Sequence, residues 1–314
     1  MAKIAAVSCP YDPADKQWNI DKMAEWVEKA ASQGVELIVF PEEQVGGLGT
    51  RGMQEFYPPD KLHSCEVAEL IPEGPTTQFM IELACKHDIY IAYGAQETDP
   101  DRWSITHNCC VLVGPEGYIG KHRKVHLPLS ERMFHVPGTD YRVYDTRIGK
   151  IGMIVCYDMC FPETCRALAI LGADIIVCPT GWPNMTQSLD DPDHHVLMTL
   201  PPARALENMV FFVQAVTCNH PDGPAIFEGH SQILGPNPGQ VLARTGFEEE
   251  MAVADVDIRA EIQRARVVSM GGDDLVRDRR PSTYGSLVAI NPYANFADGF
   301  GYLDEGYDDH DHCC

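Results

Sequence analysis

Apolar residues recur along the chain in two rhythms, and their alternation is the main structural signal. Residues 3–9 read as a first strand. Met23, Trp26, Val27 and Ala30 then follow i, i+3, i+4, i+7 spacing, which marks an amphipathic helix. VELIVF reads as a buried strand, residues 78–87 as a helix and IYIAYGAQE as a strand. NCCVLVGPEGYIGKHRKVHL reads as two strands around the turn GPEG. KIGMIVC is a predicted strand, ETCRALAILG a helix closing at Gly172, and ADIIVCP a strand. A helix over 203–208 leads to the strand MVFFVQAVTC. SQILGPNPGQVLA is a hairpin, EEMAVADVD a last strand and IRAEIQRARV a last helix. Strands alternating with helices, with hairpins mixed in, predict a layered α/β fold with mixed sheets.

No internal repeat and no linker divides residues 1–268. One domain over 1–290 is expected, followed by an acidic tail over 291–314 that reads as an extended arm or a disordered end. Beyond Arg280 the chain has no Lys or Arg, and it ends YLDEGYDDHDHCC.

Composition narrows the function classes. The formal charge of −22, from 46 acidic against 24 basic residues, argues against a nucleic-acid partner, because phosphate binding needs a positive surface. No apolar run reaches the roughly 18 residues a membrane span needs, and MAKIAAVSCPYDP lacks signal-peptide features, so a cytoplasmic protein is expected. The 12 cysteines fall mainly in strand-like apolar runs and read as buried thiols rather than a disulfide framework.

Several motifs compete for the chemistry. GLGTRG at 47–52 has G-x-G-x-x-G spacing, but its strand ends at Phe40 and Pro58-Pro59 argues against a long helix, so it reads as a plain loop. Cys156, Cys160 and Cys165 lack the C-x-x-C pairs of structural zinc sites. His194-His195 and the terminal His310, His312, Cys313 and Cys314 are adventitious metal ligands at most. GHSQI breaks the G-x-S-x-G elbow of serine hydrolases. Three strand-end residues remain: Glu42 in IVFPEE, Lys124 in GKHRKVHLP and Cys156 in IVCYDMCFPE. Singly, each has a bland account as a solvated acid, a surface lysine or a packing thiol. Together they supply a proton carrier, a cation for an oxyanion and a nucleophile, which is what amide hydrolysis needs. The lysine and the start of the following helix would activate the thiol.

With these blocks in this order, joined by ARALEN, GHSQILGPNPG and RRPSTYG, the chain resembles the nitrilase superfamily of carbon–nitrogen hydrolases over about residues 3–290. The resemblance implies a four-layer αββα sandwich, a homodimer or higher homo-oligomer, and a Glu–Lys–Cys triad that falls on Glu42, Lys124 and Cys156. Glu131 falls where many members carry a second active-site glutamate. Cys156 is then the nucleophile, held exposed at a sharp strand-to-helix turn, and no metal or organic cofactor is required.

Nitrilases of the family commonly carry Cys-Trp-Glu at the nucleophile. Cys156-Tyr157-Asp158 looks more like the amidase and carbamoylase branches, so the expected substrate is a small amide or N-carbamoyl compound. The D-carbamoylase branch has an arginine pair where this chain has Met159-Cys160, which removes its α-carboxylate clamp. Arg204 is another cation that could hold a carboxylate. Tyr157, Trp182 and the loop NMTQSLDDPDHH are the expected pocket-shaping residues. The alternatives are a nitrilase, a catalytically silent member, or a cysteine-rich metal or redox protein.

Overall fold

A computed structural model describes residues 1–47, 64–128, 131–132, 134–223 and 225–288. The chain divides into two compact units, 1–277 and 278–314. The described part of the second carries two short 3-10 turns, Pro281–Thr283 and Gly285–Val288. Of GLGTRG only Gly47 falls within the described residues, and the 291–314 tail lies outside them.

The first unit is built on two six-stranded mixed sheets. In chain order the first half gives β1 (Ala2–Ser8), α1 (Lys16–Ser32), β2 (Leu37–Val39), α2 (Ser64–Val67), α3 (Pro75–His87), β3 (Tyr90–Thr98), β4 (Thr106–Gly114) and β5 (Gly117–Arg123). The second half gives β6 (Val143–Thr146), β7 (Gly149–Met153), α4 (Pro162–Ile170), β8 (Ile175–Thr180), α5 (Pro192–Asn208), β9 (Phe211–Val216), β10 (Gln232–Leu234), β11 (Val241–Arg244), β12 (Glu250–Val256) and α6 (Ile258–Val267). The sheet orders are β12-β1-β2-β3-β4-β5 and β11-β10-β9-β8-β7-β6. Each has a parallel centre, β1-β2-β3 in one and β7-β8-β9 in the other, flanked by antiparallel strands.

Strand alternation makes the layers. Ile91 and Tyr93 turn toward Met23, Val27 and Ala30 of α1 and Met80 and Ala84 of α3, in one buried cluster. Tyr90 and Ala92, one residue out of phase, join the inner cluster with Ile176, Phe211 and Val213 of the other sheet. Beyond that sheet lie Leu168 of α4 and Leu197 and Ala205 of α5. The result is the expected αββα sandwich. Each large apolar side chain buried in these layers stabilises it by about 1.5–3 kcal/mol.

Three elements differ from the sequence reading, the first being the unexpected four-residue α2. β6 is added as a short, half-buried strand with little apolar signal. The helix expected over 203–208 instead starts at Pro192 and runs through Pro201 and Pro202. Asp191 caps it, accepting from Asp193 N, and Pro192 fits the first turn, where no N–H is needed. Pro201 cannot donate to the Leu197 carbonyl; Gln232 Nε2 does so instead, at 3.1 Å. A tertiary partner thus rescues a helix that local propensity would end.

Candidate active site

The four residues singled out as catalytic candidates meet where strands of both sheets end, as ligand sites in α/β folds do. Glu42 lies in the turn after β2, which packs so closely on β3 that a side chain at Gly94 would collide with Glu43 N and Pro41 O. The Glu42 carboxylate is 1% exposed and fully engaged. Its Oε1 accepts from Lys124 Nζ at 2.6 Å and Asn108 Nδ2 at 2.8 Å, and its Oε2 accepts from Gly181 N at 2.8 Å.

Lys124 directly follows β5 and is equally buried. Its Nζ also donates to Glu131 Oε2 at 2.7 Å. Burial opposes the ammonium, but the Glu131 and Glu42 carboxylates prevail and raise its pKa well above the ordinary value. The charge is therefore permanent. Glu131 is pushed up, first by burial and then by the charges of Glu42 and Glu43, against the pull of Lys124. The surface-lysine account of Lys124 is thereby excluded.

Cys156 follows Val155 and has φ of 45°, the left-handed backbone that a sharp turn requires. A 3-10 turn, Cys156–Cys160, leads into α4, whose first position is Pro162. The turn is as sharp as expected, but the thiol is not exposed: the residue is 5% accessible, and Sγ lies 3.7 Å from the Gly181 carbonyl. Nor is it pre-activated. Burial and the Glu42 carboxylate raise its pKa well above that of a free thiol, and the opposing effect of Lys124 is smaller. Cys156 therefore rests as a thiol at neutral pH, and its proton must leave as it reacts.

The sequence reading missed two residues that hold this arrangement. Asn108, on β4, donates through Nδ2 to both Glu42 Oε1 and Glu131 Oε1 at 2.8 Å, and its carbonyl accepts from Lys124 N at 2.8 Å. A buried Asn inside THNCCVLVG was the available signal. Asp158 has no access to solvent. It accepts from His126 N at 2.9 Å, His126 Nδ1 at 2.8 Å, His122 Nε2 at 3.2 Å and Val155 N at 3.1 Å. Burial opposes its ionised form, but the hydrogen bonds from the two histidines outweigh it and hold the carboxyl well below its usual range. Asp158 thus ties the segment on both sides of Lys124 to the Cys156 turn.

Tyr157 is half-buried, edge-on to Phe161, which stacks on His126 with ring centroids 3.8 Å apart. Trp182 follows Gly181 and is fixed by its Nε1–H, which donates to Asp193 O at 3.0 Å. The NMTQSLDDPDHH segment is only partly a loop, since its last four residues are the first turn of α5. Arg204 does not offer a free cation. It is buried, donating to Met159 O at 2.8 Å and Cys160 O at 3.3 Å and pairing with Glu207 at 2.8 Å. Among the described residues, nine cysteines are free thiols. One group there has metal-ligand character, His194, Glu228 and His230, with one ligand atom from each within 4.8 Å of the others.

The carbon-nitrogen hydrolase family model matches residues 3–266. The chain belongs to this family. It is a carbon–nitrogen hydrolase of the nitrilase superfamily, with a sandwich fold to match. A protein named nitrilase from Pyrococcus abyssi is 33% identical over 90% of this chain and 99% of its own length. An (R)-stereoselective amidase from a Pseudomonas species is 31% identical over 88% and 91%. A mutant amidase from Nesterenkonia sp. AN1 superposes with a TM-score of 0.72 at 23% identity, over 90% of this chain and 95% of that one. In that protein the acetamide moiety of fluoroacetamide is added covalently at the active-site cysteine. Among the described residues, no helix is long and apolar enough to cross a membrane.

Proposed function

We propose that the protein hydrolyses the C–N bond of a small, uncharged amide through a thioester on Cys156, releasing ammonia or an amine. The observation that carries this reading is a buried Lys124 ammonium between two carboxylates, beside a protonated thiol that faces one of them. Glu42 takes the thiol proton as Sγ attacks the carbonyl carbon. Lys124 Nζ and the Tyr157 backbone N–H stabilise the oxyanion, and Glu42 gives its proton to the departing nitrogen. Water, deprotonated by Glu42, then attacks the thioester, and the carboxylic acid leaves as the thiol is restored. Glu131 orients Lys124. Asn108 orients both carboxylates.

Substrate choice follows from what faces the nucleophile. Asp158 is turned inward, so it sets the position of Lys124 rather than acting as an acid near substrate nitrogen. Met159 is buried and Arg204 is committed to backbone carbonyls, so the segment after the nucleophile offers no guanidinium to a substrate carboxylate. Uncharged amides are therefore favoured over N-carbamoyl-α-amino acids, and amides and ureides over nitriles. The relatives carry both nitrilase and amidase names, so the deciding experiment compares kcat/KM for a matched nitrile, amide and N-carbamoyl amino acid. The amide should lead. A nitrile that wins would move the chain to the other branch. A carbamoyl amino acid that wins by about 100-fold would require a cation not identified here.

A further inference from the structure

We infer that His194, Glu228 and His230 form a binding site for a borderline divalent transition-metal cation, with Zn²⁺ as the reference ion. The site is separate from the chemistry at Cys156. His194 sits in the first turn of α5, and Glu228 and His230 come from the segment before β10. Glu228 is wholly buried and the two histidines are each 8% exposed.

Glu228 Oε1 is shared: His194 Nδ1 lies 2.5 Å from it and His230 Nδ1 3.0 Å, the latter also 2.9 Å from the Glu228 backbone carbonyl. Glu228 Oε2 accepts from Asn184 Nδ2 at 2.6 Å, which fixes the carboxylate plane as an outer-shell partner does in metal sites. Two imidazoles and a carboxylate are a donor set suited to zinc and its neighbours, with room for a solvent ligand. The backbone is shaped for this convergence. Gly229 and His230 have φ of 61° and 55°, and a side chain on Gly229 would sit 2.6 Å from Gly246 O. A left-handed histidine is a costly conformation, of the kind found at binding sites.

The charge balance points the same way. Among the described residues no lysine or arginine pairs with Glu228, so the buried carboxylate meets only imidazoles and an amide. A divalent cation would take the Nδ1 lone pair of each ring, with the ring proton carried on Nε2, and place positive charge beside the carboxylate. Tetrahedral ligation with bonds of about 2.0–2.1 Å needs donors about 3.3 Å apart, so the two separations from Glu228 Oε1 open by less than one ångström. The site also backs Trp182: Glu228 N donates to Trp182 O at 2.9 Å, and Trp182 Nε1 donates to Asp193 O beside His194. Metal would therefore stiffen the Trp182 wall while taking no part in bond breaking.

The test uses the full chain carrying His310→Ala, His312→Ala, Cys313→Ser and Cys314→Ser, which removes competing ligands from the tail. Titration with Zn²⁺ against a chromophoric chelator should give one tight equivalent and a rise in Tm. Glu228→Gln and His230→Gln should each raise Kd by about 100-fold or more, and Asn184→Ala by about 10-fold or more, whereas His195→Ala should leave it unchanged. Co²⁺ on the unmutated site should show the intense visible bands of tetrahedral ligation, a readout that needs no variant to fold. Absence of any tight equivalent, an equivalent that survives both Glu228→Gln and His230→Gln, or a weak octahedral Co²⁺ spectrum (an adventitious ion only) would overturn the proposal.

Discussion

Asn108 Nδ2 donates one hydrogen to Glu42 Oε1 and the other to Glu131 Oε1, both at 2.8 Å, so a single neutral amide spans the two carboxylates that also share Lys124. Without the amide, two buried acids would compete for one ammonium.

Asn108→Leu keeps the volume and removes both donors. A hydrogen bond to an ionised acid is worth about 1.5–3 kcal/mol, so kcat/KM should fall by about 10-fold or more. Glu131, already raised by burial, loses a bond to its charged form and moves further up. The acidic limb of the kcat/KM profile should therefore shift to higher pH. A profile that merely scales down, with its limb unmoved, would assign Asn108 a packing role only.

Lys124→Ala should lower kcat by about 10²-fold or more, the scale of losing an oxyanion donor. A change confined to KM would make the lysine a substrate anchor instead.

Asp158 links nucleophile and lysine, and its removal should be felt in stability as well as rate. Its carboxyl is held below the ordinary range, so its contribution is complete above the unfolded pKa of about 4 and is lost as pH falls toward the native value. Asp158→Asn should destabilise the protein by about 3 kcal/mol at neutral pH, because one amide oxygen replaces the two carboxylate oxygens that His122 and His126 use. The stability gap between variant and parent should be flat from pH 5 to 7 and narrow below about pH 4. Urea unfolding at a series of pH values measures it. A gap that widens on acidification would contradict the assignment.

Much of this was legible beforehand because the relevant signals are local. Apolar runs exposed every strand of the two sheets except β6, and α6 matches IRAEIQRARV residue for residue. The strand-end placement of Glu42, Lys124 and Cys156 marked a site before the fold was known. What stayed hidden depends on partners distant in sequence. The first turns of α5 were obscured by Pro201-Pro202, and only Gln232, from another element, explains how the helix continues. The activation expected for Cys156 from a nearby lysine and helix start is reversed by burial beside Glu42, which spacing cannot report. The carbonyls that occupy Arg204 come from Met159 and Cys160, more than 40 residues away, so its sequence context shows only a cation.

Glu42 is the group that must accept the thiol proton, so Glu42→Gln should slow the alkylation of Cys156 by iodoacetamide near neutral pH and abolish turnover. Equal alkylation rates in parent and variant would mean that another base removes the proton.

The most direct test of the account is peptide-mapped mass spectrometry after rapid acid quench of the protein turning over a small amide. The account predicts one acyl adduct, heavier by the acyl group less one hydrogen, on Cys156 among the 12 cysteines, and none when Cys156→Ala is treated alike. An adduct on another residue, or steady turnover by Cys156→Ala with a native circular dichroism spectrum, would contradict it.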